Sequence, residues 1–166
     1  MLSRVKRPRV ALVLWVLAGC TTILPPLDQR TTQGPTAAEL WTARVMQQTG
    51  RAPSFEERRH FEDEIDERIG RYLREHQEAA NSTTVMSFRS LRQVTVGMDK
   101  AQVEILLGPP LATTRDPAQM QSFARHHWPE IRDKAKPDEA WSYPFGWVVY
   151  FSRSRVADIT QYLPRT

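Results

Sequence analysis

The feature that most constrains the fold is a β-rich run near the C-terminus, Trp147-Val148-Val149-Tyr150-Phe151. Aromatic and β-branched residues favour strands. The preceding segment alternates at Trp141 and Tyr143. The following segment alternates between one set, Val156, Asp158 and Thr160, and a second set, Ala157, Ile159 and Gln161. Pro144-Phe145-Gly146 and Arg153-Ser154 separate the three segments, so the sequence predicts three strands joined as an antiparallel meander.

Alternation along the run divides its side chains between the two faces of this sheet. Trp147, Val149 and Phe151 share one face, and Val148 and Tyr150 share the other. If helices cover one face only, aromatic area on the other face stays exposed. The aromatic side chains therefore form either a core or a docking surface for a partner protein. The positions that we assign to partner binding are Trp141, Tyr143, Trp147 and Tyr150.

Two helices are predicted between residues 36 and 80. Thr36-Ala37-Ala38-Glu39 is a capping box that begins a helix over about 37–49, and Gly50 suits its C-terminus. Ser54-Phe55-Glu56-Glu57 begins a longer helix with an apolar stripe. The stripe consists of Phe61, Ile65, Ile69, Tyr72 and Leu73. Its opposite face carries charges of both signs, which is typical of a solvated helix face, with partner binding as the alternative. We expect an N-terminal helical hairpin.

A second unit is predicted over residues 81–166. Residues 81–93 fit a short helix slightly better than a strand. A helix is predicted to begin at the capping residue Asp99 and to stop at Gly108-Pro109-Pro110. Asp116-Pro117 begins another helix, which runs to about residue 127. Pro129 begins a short helix through Lys134. With the meander, they predict an α+β fold in which helices pack on one face of a three-stranded antiparallel sheet, preceded by the helical hairpin.

Residues 1–19 have the layout of a secretory signal peptide. A basic stretch, with Arg4, Lys6, Arg7 and Arg9, precedes the apolar residues 10–19. Ten helical residues span about 15 Å, half of the ~30 Å hydrocarbon core, so this segment is too short for a transmembrane anchor. The only cysteine of the chain, Cys20, follows directly.

Leu17-Ala18-Gly19-Cys20 resembles a bacterial lipobox. The resemblance implies a lipoprotein in which the Cys20 thiol carries a diacylglyceryl group, with cleavage before Cys20 and further acylation, for example by palmitate. Two or three acyl chains anchor a domain to a membrane more firmly than one chain. An aspartate directly after the lipidated cysteine would imply retention in the inner membrane. This chain has Thr21 at that position, which implies attachment to the outer membrane on its periplasmic face. An ordinary signal peptide that contains a buried cysteine is the alternative.

The segment after the signal peptide and the overall charge add two expectations. Residues 20–35 are rich in proline and have no helical period, so we expect a flexible, extended tether.

The chain has 23 Lys and Arg and 19 Asp and Glu, and four of the basic residues lie in the signal peptide. The rest of the chain is therefore neutral, which argues against nucleic acid as a partner.

Patterns for catalysis and metal binding are weak. Glu57-Arg58-Arg59-His60 matches the Glu-x-x-His element of di-iron bundles, but the sequence has no second copy. His126 and His127 are neighbours on a predicted helix, where successive side chains point about 100° apart, so we expect a helix-end or surface role. No nucleophile elbow, P-loop or dinucleotide motif is present. We expect no catalytic residue, no metal and no cofactor apart from the covalent lipid on Cys20, with a novel Ser, Asp and His arrangement as the alternative.

Three segments within residues 94–162 share the pattern of a known family. They read VTVGMDKAQVEILLGPP from Val94, EAWSYPF from Glu139 and WVVYFSRSRVADI from Trp147. This block resembles the SmpA/OmlA family of small outer-membrane lipoproteins, which includes the BamE subunit of the barrel-assembly machinery. The resemblance implies two helices on a three-stranded antiparallel sheet. It also implies a non-enzymatic role in outer-membrane protein assembly or envelope integrity.

The expected function is that of a lipid-anchored periplasmic binding or scaffold protein in the bacterial cell envelope. Its expected partners are the membrane, through the lipid anchor, and an envelope protein such as the barrel-assembly machinery. A periplasmic enzyme inhibitor or ligand-binding module on the same helix-on-sheet fold is the alternative.

Overall fold

The computed structural model describes residues 27–164, which form an α+β fold. Within this range the α-helices are α1 (Ala37–Thr49), α2 (Phe55–Glu75), α3 (Gln77–Ala80), α4 (Lys100–Leu107), α5 (Pro117–Ala124) and α6 (Trp128–Ala135). The strands are β1 (Leu27–Thr31), β2 (Gln33–Thr36), β3 (Gln93–Thr95), β4 (Ala112–Thr114), β5 (Glu139–Ser142), β6 (Trp147–Ser152) and β7 (Arg155–Leu163). None of the helices described here is long and apolar enough to span a membrane. The signal peptide, Cys20 and tether residues 21–26 lie outside the described range.

Five strands form one antiparallel sheet in the order β1-β7-β6-β5-β4. The three predicted strands occupy its centre, and β1 and β4 form its two edges. The expected number of three is wrong because two short segments without an alternating apolar pattern pair with the outer strands. Leu27 pairs with Leu163 across β1 and β7, and β4 pairs with β5. β2 and β3 form a separate two-stranded sheet.

Residues 27–36 are folded, so the predicted flexible tether over residues 20–35 is wrong for its second half. β1 pairs along its whole length with β7. Gly34 and Pro35 are buried within β2, where the pairing with β3 is irregular. A proline is tolerated at such an irregular, two-stranded position because no central sheet hydrogen bond is lost. The glycine and proline that suggested a linker are therefore part of the fold.

The capping signals place α1 and α2 where the sequence predicts them. Glu39 N donates to Thr36 Oγ1 at 3.2 Å, and Thr36 N donates to the Glu39 carboxylate at 2.7 Å. Ser54 and Glu57 form the same reciprocal pair. α1 ends at Thr49, and the capping residue Gly50 has a φ of 71°, in the left-handed region. Both helices pack with α4 against the sheet.

The capping signals of the later helices are also confirmed. Asp99 caps the start of α4, Gly108 caps its end, and Asp116 caps the start of α5. The ambiguous residues 81–93 contain a π-helical turn, Ser87–Leu91.

Helices cover both faces of the sheet, whereas the sequence predicted one. On the first face, α1, α2 and α4 pack against the sheet residues Trp141, Tyr143, Val149, Phe151, Val156 and Ile159. On the second face, α5 and α6 pack against Ala140, Val148 and Tyr150. The chain between β4 and β5 crosses to this second face and supplies α5 and α6. The one-face expectation is therefore wrong, because the connection between the edge strand β4 and its neighbour β5 folds back over the sheet.

A β-bulge in β7 breaks the predicted alternation. Tyr150 pairs with Asp158, whereas the next residue, Phe151, pairs with Val156. Ala157 is the extra residue, and it turns Val156 onto the first face. The prediction that Val156 shares a face with Asp158 is therefore wrong. The predicted turn at Arg153-Ser154 is confirmed, and its two positive φ values, 50° and 63°, match the twist of a tight hairpin.

Candidate functional site

The four aromatic residues assigned to partner binding lie in the core or beside it. Trp141, Tyr143 and Tyr150 are buried, and Trp147 is partly buried. Tyr143 Oη donates to the carbonyl oxygen of Gly108 at 3.3 Å. Burial raises the pKa of the Tyr143 and Tyr150 hydroxyls. The expected exposed aromatic face is wrong because α5 and α6 cover the face that carries Tyr150.

Glu139 is the centre of a charge network beneath α4. Its side chain is only 9% exposed, and its carboxylate accepts hydrogen bonds from Trp141 Nε1 at 2.5 Å and from Arg115 Nε at 2.8 Å. Lys100 Nζ lies 3.0 Å from the same carboxylate and 5.4 Å from the centre of the Phe151 ring. Burial by itself raises the pKa of Glu139, but the three donors outweigh it and lower the pKa to about 2. The network fixes the position of Trp141 and ties β5 to α4.

An open groove of about 800 Å³ lies between β1, β7 and α6. The Arg30 guanidinium donates to both Asp158 oxygens, at 2.6 to 3.0 Å, and lies 2.7 Å from Glu130 Oε1. The hydrogen bond to Asp158 raises the pKa of Arg30, although burial opposes it. Hydrogen bonds from Lys134 and Arg30 lower the pKa of Glu130 to about 2. The wall of the groove is thus an ion-pair network that joins β1 to α6.

His127, which lines the groove, belongs to a cluster with a second histidine and an aspartate. Asp28 Oδ2 lies 3.3 Å from His126 Nδ1, and Asp28 Oδ1 lies 3.3 Å from His127 Nε2. The two imidazole centres are 3.9 Å apart. The His126 side chain is 67% exposed, whereas His127 and Asp28 are about one-fifth exposed. Within residues 27–164 this is the only group of three His, Cys, Asp or Glu side chains whose ligand atoms all lie within 4.8 Å of one another.

Local backbone geometry brings this cluster together. α5 ends before Arg125, which has a φ of 53°, and the chain makes a 3₁₀ turn over Arg125–His127 before α6. The Arg125 guanidinium carbon lies 3.3 Å from the centre of the Tyr162 ring, a cation–π contact. Tyr162 is the cross-strand partner of Asp28. Trp128, the first residue of α6, is buried in the second core and holds the turn against the sheet.

Sequence reasoning missed this cluster for two reasons. The expectation that His126 and His127 point apart is wrong because it assumes one helix to about residue 127, whereas α5 ends at Ala124. Asp28 lies in the predicted tether, and no local pattern relates it to the histidines. The only signal is the spacing of Asp28 and Arg30, which places both side chains on one face of a strand.

The Glu57 and His60 pair has another role in the structure. Glu57 caps α2, and its carboxylate accepts a hydrogen bond from Arg51 at 2.7 Å. This bond lowers the pKa of Glu57 to about 2. His60 is exposed on α2. The proposed lipid-attachment residue, Cys20, lies outside the described range.

The chain matches no protein-family model, no curated protein and no solved structure. The resemblance of residues 94–162 to the SmpA/OmlA family therefore stays a prediction. Any functional proposal depends on the residues of this chain and their arrangement.

Proposed function

We propose that the protein is a lipid-anchored periplasmic binding protein, attached to the outer membrane through Cys20. It acts without catalysis, as an accessory in outer-membrane protein assembly or in envelope integrity. The observation that carries the proposal is the Leu17-Ala18-Gly19-Cys20 sequence behind a signal-like segment, with only residues 21–26 between Cys20 and the folded strand β1.

The length of this spacer limits the distance between the domain and the membrane. A fully extended chain spans about 3.3–3.6 Å per residue, so the seven steps from Cys20 to Leu27 reach about 25 Å at most. The domain is therefore held close to the lipid surface. The end of the sheet at which β1 begins is the end nearest to the anchor.

That end of the sheet carries exposed apolar side chains. β1 begins there, β7 ends there, and the loop between β5 and β6 lies beside them. Leu27, Leu111 and Phe145, which we name the apolar end, are all exposed, and Leu111 is 68% exposed. Apolar side chains at this end can enter the headgroup region of a bilayer. Their location supports an orientation in which the apolar end faces the membrane.

The predicted family likeness supports the accessory role. The block 94–162 contains α4 and nearly all of the consecutive strands β5, β6 and β7, that is, a three-stranded meander with one of the two helices that the likeness implies. Here α5 and α6 cover the second sheet face and α1 and α2 extend over the first. A partner protein would therefore bind at the short edge strand β4 or on the outer, charged side of α2.

A crosslinked pull-down tests the proposal. The lipidated protein would be recovered from detergent-solubilised outer membranes, with Cys20→Ala as the unanchored control. We expect enrichment of barrel-assembly subunits with the native chain and their loss with Cys20→Ala. Photo-crosslinkers at Leu111 and at Glu56 would show which surface faces the membrane. The crosslinker at Leu111, in the apolar end, should label lipid, and the one at Glu56, on α2, should not.

Two results would count against the proposal. If the native chain is recovered in the soluble periplasmic fraction, it is not attached to the membrane, which would contradict the proposal. Recovery of a soluble periplasmic enzyme in place of envelope proteins would favour the inhibitor or ligand-binding alternative.

A further inference from the structure

We propose that Asp28, His126 and His127 bind one divalent transition-metal ion, and that zinc is the physiological class of ion. Two imidazoles and one carboxylate form a common donor set for zinc, and three protein ligands leave a fourth position for water. Magnesium and calcium prefer oxygen donors, so the two nitrogen ligands select against them. Metal binding at this cluster does not depend on the lipid anchor.

The distances agree with tetrahedral coordination. Two ligand atoms that each lie about 2.0–2.1 Å from a tetrahedral ion are about 3.3–3.4 Å apart. The cluster has this separation at two places, from Asp28 Oδ2 to His126 Nδ1 and from the other oxygen, Oδ1, to His127 Nε2, 3.3 Å in both cases. All three ligand atoms lie within 4.8 Å of one another. Binding of one ion requires a change in the side-chain angles of Asp28 or of His126, and the His126 side chain is 67% exposed.

The environment of His127 is an independent indication of a missing ligand. Its Nε2 atom is buried and has no hydrogen-bond partner among the described residues, although Asp28 Oδ1 lies 3.3 Å away. A buried polar atom without a partner is costly and is rare in folded proteins. Coordination to an ion between Nε2 and the carboxylate satisfies both groups.

The neighbouring cations do not compete for the Asp28 carboxylate. Arg125 lies over the Tyr162 ring, and Arg30 is paired with Asp158 and Glu130. Within residues 27–164, the basic side chains whose nitrogens lie within 4.0 Å of the Asp28 carboxylate are the two histidines alone. The Asp28 carboxylate can therefore coordinate the same ion as the two histidines.

An ion at this position would join two parts of the fold that are distant in sequence. Asp28 belongs to the edge strand β1, and the histidines belong to the turn between α5 and α6. Zinc would therefore fasten β1 to the helices of the second face. We expect it to slow amide hydrogen exchange in β1, which is held to the sheet by one neighbouring strand only.

Zinc titration of the full chain tests this site. The protein would carry Cys20→Ala, so that the only thiol cannot bind metal, and would be purified in detergent without a polyhistidine tag. Calorimetry should show one zinc per chain. At a free zinc concentration 100 times the Kd, the melting temperature should rise by about 5–10 °C. Cobalt(II) should give the visible absorption of a tetrahedral site, and magnesium should give no response.

Variants locate the ion. Asp28→Asn and His126→Ala should each weaken zinc binding more than about 100-fold, because even the loss of an outer-shell partner costs about 10–100-fold. His126 is exposed, so its replacement leaves the fold intact, which circular dichroism would verify. His60→Ala on α2 is the matched control and should bind zinc normally. Absence of stoichiometric binding, or zinc binding that survives both Asp28→Asn and His126→Ala, would overturn the proposal.

Discussion

Replacing Glu139 by glutamine removes one negative charge from a site that holds two cations. Glutamine keeps the shape of the side chain and one oxygen that can accept from Trp141 Nε1. Lys100 and Arg115, which lie 3.0 and 2.8 Å from the carboxylate, lose their counter-charge. The variant therefore isolates the contribution of the charge from that of packing.

The pKa of Glu139 gives the size and the pH dependence of this contribution. The pKa falls from 4.5 to about 2 on folding, so the stabilisation is fully present above about pH 5 and is lost as the pH falls towards 2. A difference of about 2.5 units corresponds to about 3 kcal/mol at pH 7 and to about 1 kcal/mol at pH 3. Glu139→Gln should therefore lower the free energy of unfolding at pH 7, and the deficit should shrink by about 2 kcal/mol at pH 3.

Urea unfolding followed by circular dichroism at pH 7 and at pH 3 measures both quantities. Glu67→Gln is the control, because Glu67 forms an exposed ion pair with Arg71 on α2, and exposed pairs contribute little to stability. A deficit for Glu139→Gln that is the same at both pH values would refute the argument. It would show that the lost hydrogen-bond geometry, and not the charge, carries the effect.

Four further substitutions test the packing, turns and helix capping of the fold. Gly146→Ala should lower the free energy of unfolding by more than about 2 kcal/mol, because φ is 70° and a Cβ would overlap the Tyr162 carbonyl oxygen. Gly50→Ala, with a similar φ of 71° but no atom within 4 Å of its Cβ, should cost only about 1 kcal/mol. Ile131→Ala should cost about 2–5 kcal/mol, since Ile131 is fully buried between α6 and the sheet. Thr36→Ala should cost about 0.5–2 kcal/mol through loss of the α1 cap. Chemical denaturation measures all of these changes. Equal losses at the two glycines would contradict the close approach to Tyr162, and an unaffected Ile131→Ala protein would contradict the placement of α6.

Local signals in the sequence predicted the helices well. The Thr36 and Ser54 capping boxes and Gly50 act within one helical turn, so a short window contains all the information that they carry. The central strands were predictable for a similar reason, because residues 147–151 alternate and are rich in β-forming side chains. The Arg153-Ser154 turn followed from its position between two such segments.

Non-local features were not predictable from these patterns. β1 is polar and β4 has three residues, so both become strands only because a neighbouring strand offers unpaired backbone groups. The bulge at Ala157 and the early end of α5 at Arg125 have no glycine to mark them, although Arg125 has a positive φ. The cluster of Asp28, His126 and His127 forms because β1 pairs with β7 and because α5 ends early. Neither the strand pairing nor the helix end is visible in a local sequence pattern.

The pairing of β1 with β7 also sets the order in which the chain can fold. Leu27 pairs with Leu163, so the first and last described strands are neighbours. Synthesis runs from the N-terminus, so β1 is made first and cannot pair with β7 until nearly the whole chain has been made. Contacts of such long sequence separation form slowly. A chain that lacks residues 155–163 would thus have no partner for β1, and premature termination during synthesis would leave β1 as an unpaired strand open to association with other chains.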